Sequence, residues 1–272
     1  MVNVQPLVVD GQRLVSIRQI NNLPPPQKEA IYRMLIPPEA LLQFGIPFSL
    51  MDSQGRSLWT CICEPGTCSV TLSLRHQWDA PDPVLYLELA ETIHNQLEVL
   101  FFSIADPASE RFNVDRMPDG RPTNFGTDSR NIPEEIRAME AGLAPGQVRM
   151  GGRLTRRLIP RFEEFVARLG YDRFQAQPLF YHAAILFERC GFAYTMGQGK
   201  MEWIHQEFGR GGLLYNRLDD STPFRRRGME ATVRGRSWAI YDGILGEPFT
   251  GVRMYKRVGV FAGISTFPDA VW

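Results

Sequence analysis

The stretch 177–197, "QPLFYHAAILFERCGFAYTMG", decides how the chain is read. Apolar residues recur at Leu179, Ala183, Leu186, Phe187 and Cys190, with a proline at 178 and a glycine at 191. Proline costs nothing in a first helical turn, where its missing N–H has no partner to lose. Glycine suits the left-handed position past the last turn. The pattern predicts a helix over 178–190 that hands over to a strand through "GFAYTM", which pairs with a second strand in "KMEWIHQEF".

Just upstream, Leu154, Leu158, Phe162, Phe165, Val166 and Leu169 recur at three- and four-residue spacing, which predicts an amphipathic helix over 153–169 ended by Gly170. "YDRFQAQ" between the two helices reads as a short strand. Helix, strand, helix, strand is the signature of an α/β layer.

The front half reads differently. Residues 12–20 predict a strand, and "PPPQKEAIYRMLIPPEALLQFG" two short helices punctuated by prolines. Apolar and polar residues then alternate around "SQG" and "PG" turns from 46 to 75, the pattern of an antiparallel meander. Strands follow at 84–91 and 96–104, the second apolar on both faces and therefore central in its sheet. A polar segment without period, 108–131, precedes a helix over 133–142.

Composition narrows the function classes. With 272 residues, 44% of them apolar, the chain buries a sizeable core, which excludes a disordered protein. Thirty basic residues balance thirty acidic ones, so no global field draws it to nucleic acid or an anionic membrane. No run reaches the roughly 18 apolar residues of a membrane span, and the first residues lack a signal-peptide pattern. Four cysteines are too few for a disulfide scaffold, so a cytoplasmic protein is expected. Three of them, in "WTCICEPGTCSV", lack the paired C-x2-C spacing of a zinc site. Cys61, Cys63 and Cys68 are read as small apolar residues of a hairpin, with no metal.

The motifs "RMGGRL", "RLGY" and "FERCGF", in this order over 149–192, resemble the core of the GNAT N-acetyltransferase superfamily. The helices ahead of a meander and the strand "LEVLFFSIADP" fit the same order. The resemblance implies an α/β (α+β) fold with a mixed, mainly antiparallel central sheet flanked by helices. It would span 1–206, with an insertion at about 106–148, and leave 207–272 as a C-terminal extension. It also implies acetyl-CoA or another acyl-CoA as co-substrate, held at the glycine turn by Arg149, Met150, Gly151, Gly152, Arg153 and Arg157. Glycine lets the backbone approach a pyrophosphate, and a helix start favours anions. Leu154 departs from the family, which expects a small residue there. Phe187 stands where a tyrosine often serves as acid, so Tyr181 and Tyr194 become the alternatives.

From the residues alone, Glu98 and Glu88 are the candidate bases; Glu98 shares an expected strand face with Leu100, Phe102 and Ile104. Arg153, Arg157 and Arg161 form an i, i+4 stripe that either neutralises phosphates or is a solvated face beside Glu163 and Glu164. His182 and His205 read as surface residues. Basic residues interleaved with aromatics between 225 and 256 can bind single-stranded nucleic acid or a nucleotide, but the zero net charge argues against it, and the extension instead packs on the core or pairs two subunits as a homodimer through Trp203, Trp238 and Phe249. Two functions follow: an acyl-CoA-dependent N-acyltransferase acting on a small-molecule amine, or a GNAT-like protein that only binds a ligand or partner.

Overall fold

A computed structural model describes residues 4–92, 96–151 and 154–272. In chain order the elements are β1 (Val8–Val9), β2 (Gln12–Arg13), α1 (Ile17–Asn21), α2 (Pro25–Tyr32), α3 (Pro38–Gln43), β3 (Trp59–Ile62), β4 (Ser69–Leu74), β5 (Leu85–Glu91) and β6 (Leu97–Ile104). There follow α4 (Ile132–Glu140), α5 (Thr155–Arg168), β7 (Arg173–Ala176), α6 (Tyr181–Arg189), β8 (Ala193–Met196), α7 (Gln198–Glu207), α8 (Leu213–Asn216), α9 (Val233–Tyr241) and β9 (Arg253–Arg257). The fold is mixed α/β. Its central sheet of seven strands, in the order β3-β4-β5-β6-β7-β9-β8, is mainly antiparallel and is flanked by helices. No helix among the described residues is long and apolar enough to cross a membrane.

The chain divides into two compact units, each assembled from separated segments. The first comprises residues 1–108, 151–176 and 255–261; the second comprises 109–150, 177–254 and 262–272.

In the first unit β3 to β6 form the expected meander, and β6 lies centrally between β5 and β7. One face of it is apolar: Leu72, Leu87, Leu89, Leu97 and Val99 are buried there. Helix α5 supplies Phe162, whose ring lies 5.9 Å from Phe174 of β7, and Phe165, 6.1 Å from Tyr32. Each of its periodic positions from Leu154 to Leu169 is buried, and Gly170 takes φ +92° beyond its end. The expected strand over 12–20 is instead β2 followed by α1. Ser16 caps that helix, its hydroxyl accepting from the Gln19 N–H, so a local hydrogen bond overrides the alternating pattern.

The second unit has its own core, in which Trp238 donates from Nε1 to the Leu143 carbonyl at 2.8 Å and stacks on Phe224. Its burial removes Trp238 from any subunit interface. Helix α6 begins only at Tyr181, after an extended Phe180, so Pro178 lies in the lead-in rather than the first turn. Tyr181, Ala184, Ile185 and Glu188 are buried while Leu179 is exposed, which rotates the buried stripe away from the expected one. Gly191 does take φ +80°, as a helix stop requires. "KMEWIHQEF" is not a strand but α7 and its C-cap: Met201, Ile204 and Phe208 recur at helical spacing and are buried.

Candidate active site

Glu98 lies on β6 opposite Ala90 of β5 and Gln175 of β7. The β5–β6 register shifts between Glu88 and Leu89, so Phe101 faces Glu88 whereas Val99 faces Leu89, and Leu100 is the extra residue. This bulge reverses the alternation. Glu98 therefore shares its face with Glu88, Ala90 and Phe101, not with Phe102 and Ile104, and it is half-buried. On the same face Tyr86 donates to Glu88, and burial together with that carboxylate pushes the Tyr86 phenol up to about 12. The opposite, apolar face of the sheet carries no titratable residue between Leu85 and Leu89.

Strands β6 and β7 are parallel, and their ladder runs from Leu97↔Phe174 to Val99↔Ala176 while β6 continues to Ile104. At that end Gly151 approaches the strand so closely that a β-carbon would sit 3.3 Å from the Ile104 carbonyl oxygen. The approach is tight for any larger residue, and Gly151 is not in a left-handed conformation. Gly152 and Arg153 lie outside the described residues. Four residues after Gly151, α5 starts without an acidic residue in its first turn. Arg156 and Arg157 are exposed there, and among the described residues neither has a carboxylate partner, whereas Arg161 reaches Glu164 at 3.5 Å. Helix dipole and guanidinium charge thus add up to a positive end.

Arg149 and Met150 belong to the second unit. The Arg149 guanidinium donates to the Ser109 carbonyl, and the Met150 N–H donates to the Ser109 hydroxyl at 3.2 Å.

The same unit holds the two candidate tyrosines in a buried polar cluster. Glu188 is 2% exposed; its Oε1 accepts from the Tyr194 hydroxyl at 2.5 Å and the Thr266 hydroxyl at 2.6 Å, and its Oε2 from the Thr266 N–H at 3.0 Å. Burial raises the Glu188 carboxyl against the lowering effect of these donors, and it raises the Tyr194 phenol as well. Tyr181, one turn pair earlier on α6, is fully buried and its phenol is pushed up to about 12 by that burial. Phe187 is buried and stacks on Phe192 at 4.8 Å.

Arg236 completes the cluster from α9. It is 5% exposed, donates to the Glu230 carbonyl at 2.7 Å, meets His205 Nδ1 at 3.0 Å and lies 3.6 Å over the Phe267 ring. His182, expected on the surface, is buried, with Nδ1 3.0 Å from the Ser237 hydroxyl, and burial pushes it down to about 3. Sequence reasoning missed Glu188 and Arg236 as buried groups. A signal existed: each occupies an apolar-stripe position, Glu188 with Tyr181, Ala184 and Ile185, and Arg236 with Val233, Ser237 and Ile240.

The structure therefore brings Tyr181, Tyr194 and Glu188 into one unit and places Glu98, Gly151 and Arg157 in the other. Searches of protein-family models, curated proteins and solved structures returned no match to this chain.

Proposed function

We propose that the chain is an acyl-CoA-dependent N-acyltransferase whose co-substrate, acetyl-CoA or another acyl-CoA, binds the first unit. One observation carries this reading: Gly151 abuts the Ile104 end of the bulged strand β6 just before the positive start of α5, and the same strand bears Glu98 toward its other end. Phosphates suit a helix start flanked by Arg157, and a bulge leaves a strand residue outside the regular ladder, where its N–H can meet a developing oxyanion. In the reaction the amine nitrogen attacks the thioester carbonyl, Glu98 takes the amine proton directly or through water, and the C–S bond breaks to release the thiol.

A second reading, a GNAT-like protein that binds a ligand without transferring an acyl group, is favoured by the acid side. Phe187 has no proton to give, and Tyr194 is buried with its hydroxyl committed to Glu188. Thermal shift with acetyl-CoA and longer acyl-CoAs, followed by a thiol-release assay over a panel of amines, separates the two. A raised midpoint with thiol release supports transfer. A raised midpoint without release across the panel supports the binding protein, and no shift with any acyl-CoA removes the acyltransferase and leaves a binding protein for a different ligand or partner.

A further inference from the structure

We propose that Cys61 and Cys63 form a reversible thiol–disulfide pair, a modification site that closes by exchange with a low-molecular-weight disulfide. Their sulfurs lie 3.5 Å apart, and both are free cysteines. Closing that gap to the roughly 2.0 Å of a disulfide is a movement of about 1.5 Å.

The local backbone permits that movement. Cys61 is held in the ladder opposite Leu72, but the ladder ends at Ile62↔Thr71, so Cys63 lies just beyond it. Ile62, the residue between them, is 55% exposed and is the last residue of β3 paired in the ladder. β3 is also the terminal strand of the sheet order, with a ladder on one side only. Cys63 is anchored by its carbonyl, which accepts from Lys28 Nζ at 2.7 Å. Cys61 is half-buried and Cys63 buried, so Cys61 is the residue of the pair nearer to solvent.

The same geometry says what kind of disulfide this is. Residues two apart on an extended strand have Cα atoms roughly 6.6–6.8 Å apart, the upper end of the range a disulfide spans. The closed form is strained, and strained disulfides are the readily reduced ones. The pair therefore suits cycling rather than cross-linking. Cys68, on the far side of the turn, is engaged differently: Arg18 Nε and Nη2 approach its sulfur at 3.3 and 3.1 Å.

In the exchange the Cys61 thiolate attacks one sulfur of the small disulfide, forming a mixed disulfide and expelling one thiolate. Cys63 then attacks the Cys61 sulfur and expels the second. Two electrons pass from the protein to the small disulfide, which leaves as two thiols carrying the two protons. Burial and the neighbouring Cys63 raise the Cys61 thiol, so the rate should climb with pH well above neutrality.

The test incubates the folded, full-length protein with oxidised glutathione, quenches it in acid, alkylates it and digests it with trypsin and then a prolyl endopeptidase. Cleavage after Arg56 and Pro65 separates Cys61 and Cys63 from Cys68. The expected product is peptide 57–65 lacking two hydrogens and both alkyl groups, restored by dithiothreitol. Cys61→Ser should lower its yield by about tenfold or more, while Cys68→Ser leaves it within about twofold. A persistent glutathione adduct on Cys61, a link to Cys68, or four alkylated thiols after oxidation would each overturn the assignment.

Discussion

Glu188 shows how burial and hydrogen bonding compete at a single residue. A carboxylate out of water is costly unless its oxygens accept hydrogen bonds, and three donors from Tyr194 and Thr266 supply them. Tyr194→Phe removes one donor and should destabilise the protein by about 1–3 kcal/mol in a denaturant titration; an unchanged midpoint would show that the bond contributes nothing net. His182 gives a pH prediction. Its ordinary value is 6.5 and burial holds it down to about 3, so between these values the unfolded chain binds a proton that the native state does not. Stability from this residue is complete above pH 6.5 and is lost as pH falls toward 3. Comparing unfolding midpoints at pH 7 and pH 5 should show a smaller drop in His182→Gln than in wild type, and equal drops would refute the assignment. For Glu98, the proposed base, Glu98→Gln should lower turnover by roughly 10²-fold, the usual cost of losing a general base. Wild-type turnover in that variant would remove Glu98 from the chemistry.

Among the elements, α5 and β6 carry the proposed ligand site. The α5 start concentrates positive charge that the helix dipole alone makes unfavourable, since no acidic side chain stands in its first turn. A bound anion offsets that cost. Arg157→Glu should therefore weaken acetyl-CoA binding by about 1–3 kcal/mol, read by calorimetry, while leaving the melting temperature of the free protein unchanged or higher. Equal affinities would assign Arg157 to a solvated face. The bulge in β6 acts at the same scale, because one extra residue moves every later side chain to the other face.

At the scale of the whole molecule, the two units are each closed by segments distant in sequence. The first includes 255–261, where Lys256 pairs with Glu163 at 3.1 Å and the Val258 N–H donates to the Asp172 carbonyl at 2.9 Å. Lys256 is 5% exposed and also donates to the Val260 carbonyl, and a chain without it leaves Glu163 without this partner. A chain ended after residue 206 lacks these contacts together with α9 and Trp238 of the second core. It should melt without the cooperative transition of the full chain, and a sharp calorimetric peak from the truncated protein would contradict this.

What the sequence determined by itself was local. The apolar period of α5 and its glycine stop, the hairpin around "EPGT" and the alternation of β4 and β5 all depend on contacts within a few residues, so their spacing could be read directly. Tertiary structure decided the rest. A bulge is a mismatch between two strands and leaves no mark on either alone, so the face of Glu98 could not be read from β6. "KMEWIHQEF" mixes apolar and polar residues in a way compatible with both periods, and burial of Met201, Ile204 and Phe208 on one side settled it as helix. Glu188 and Arg236 sat at apolar positions in plain view, but their partners, Thr266 and His205, lie 78 and 31 residues away. Whether a charge is buried depends on what folds over it, and that is a property of long-range contacts rather than of the residues beside it.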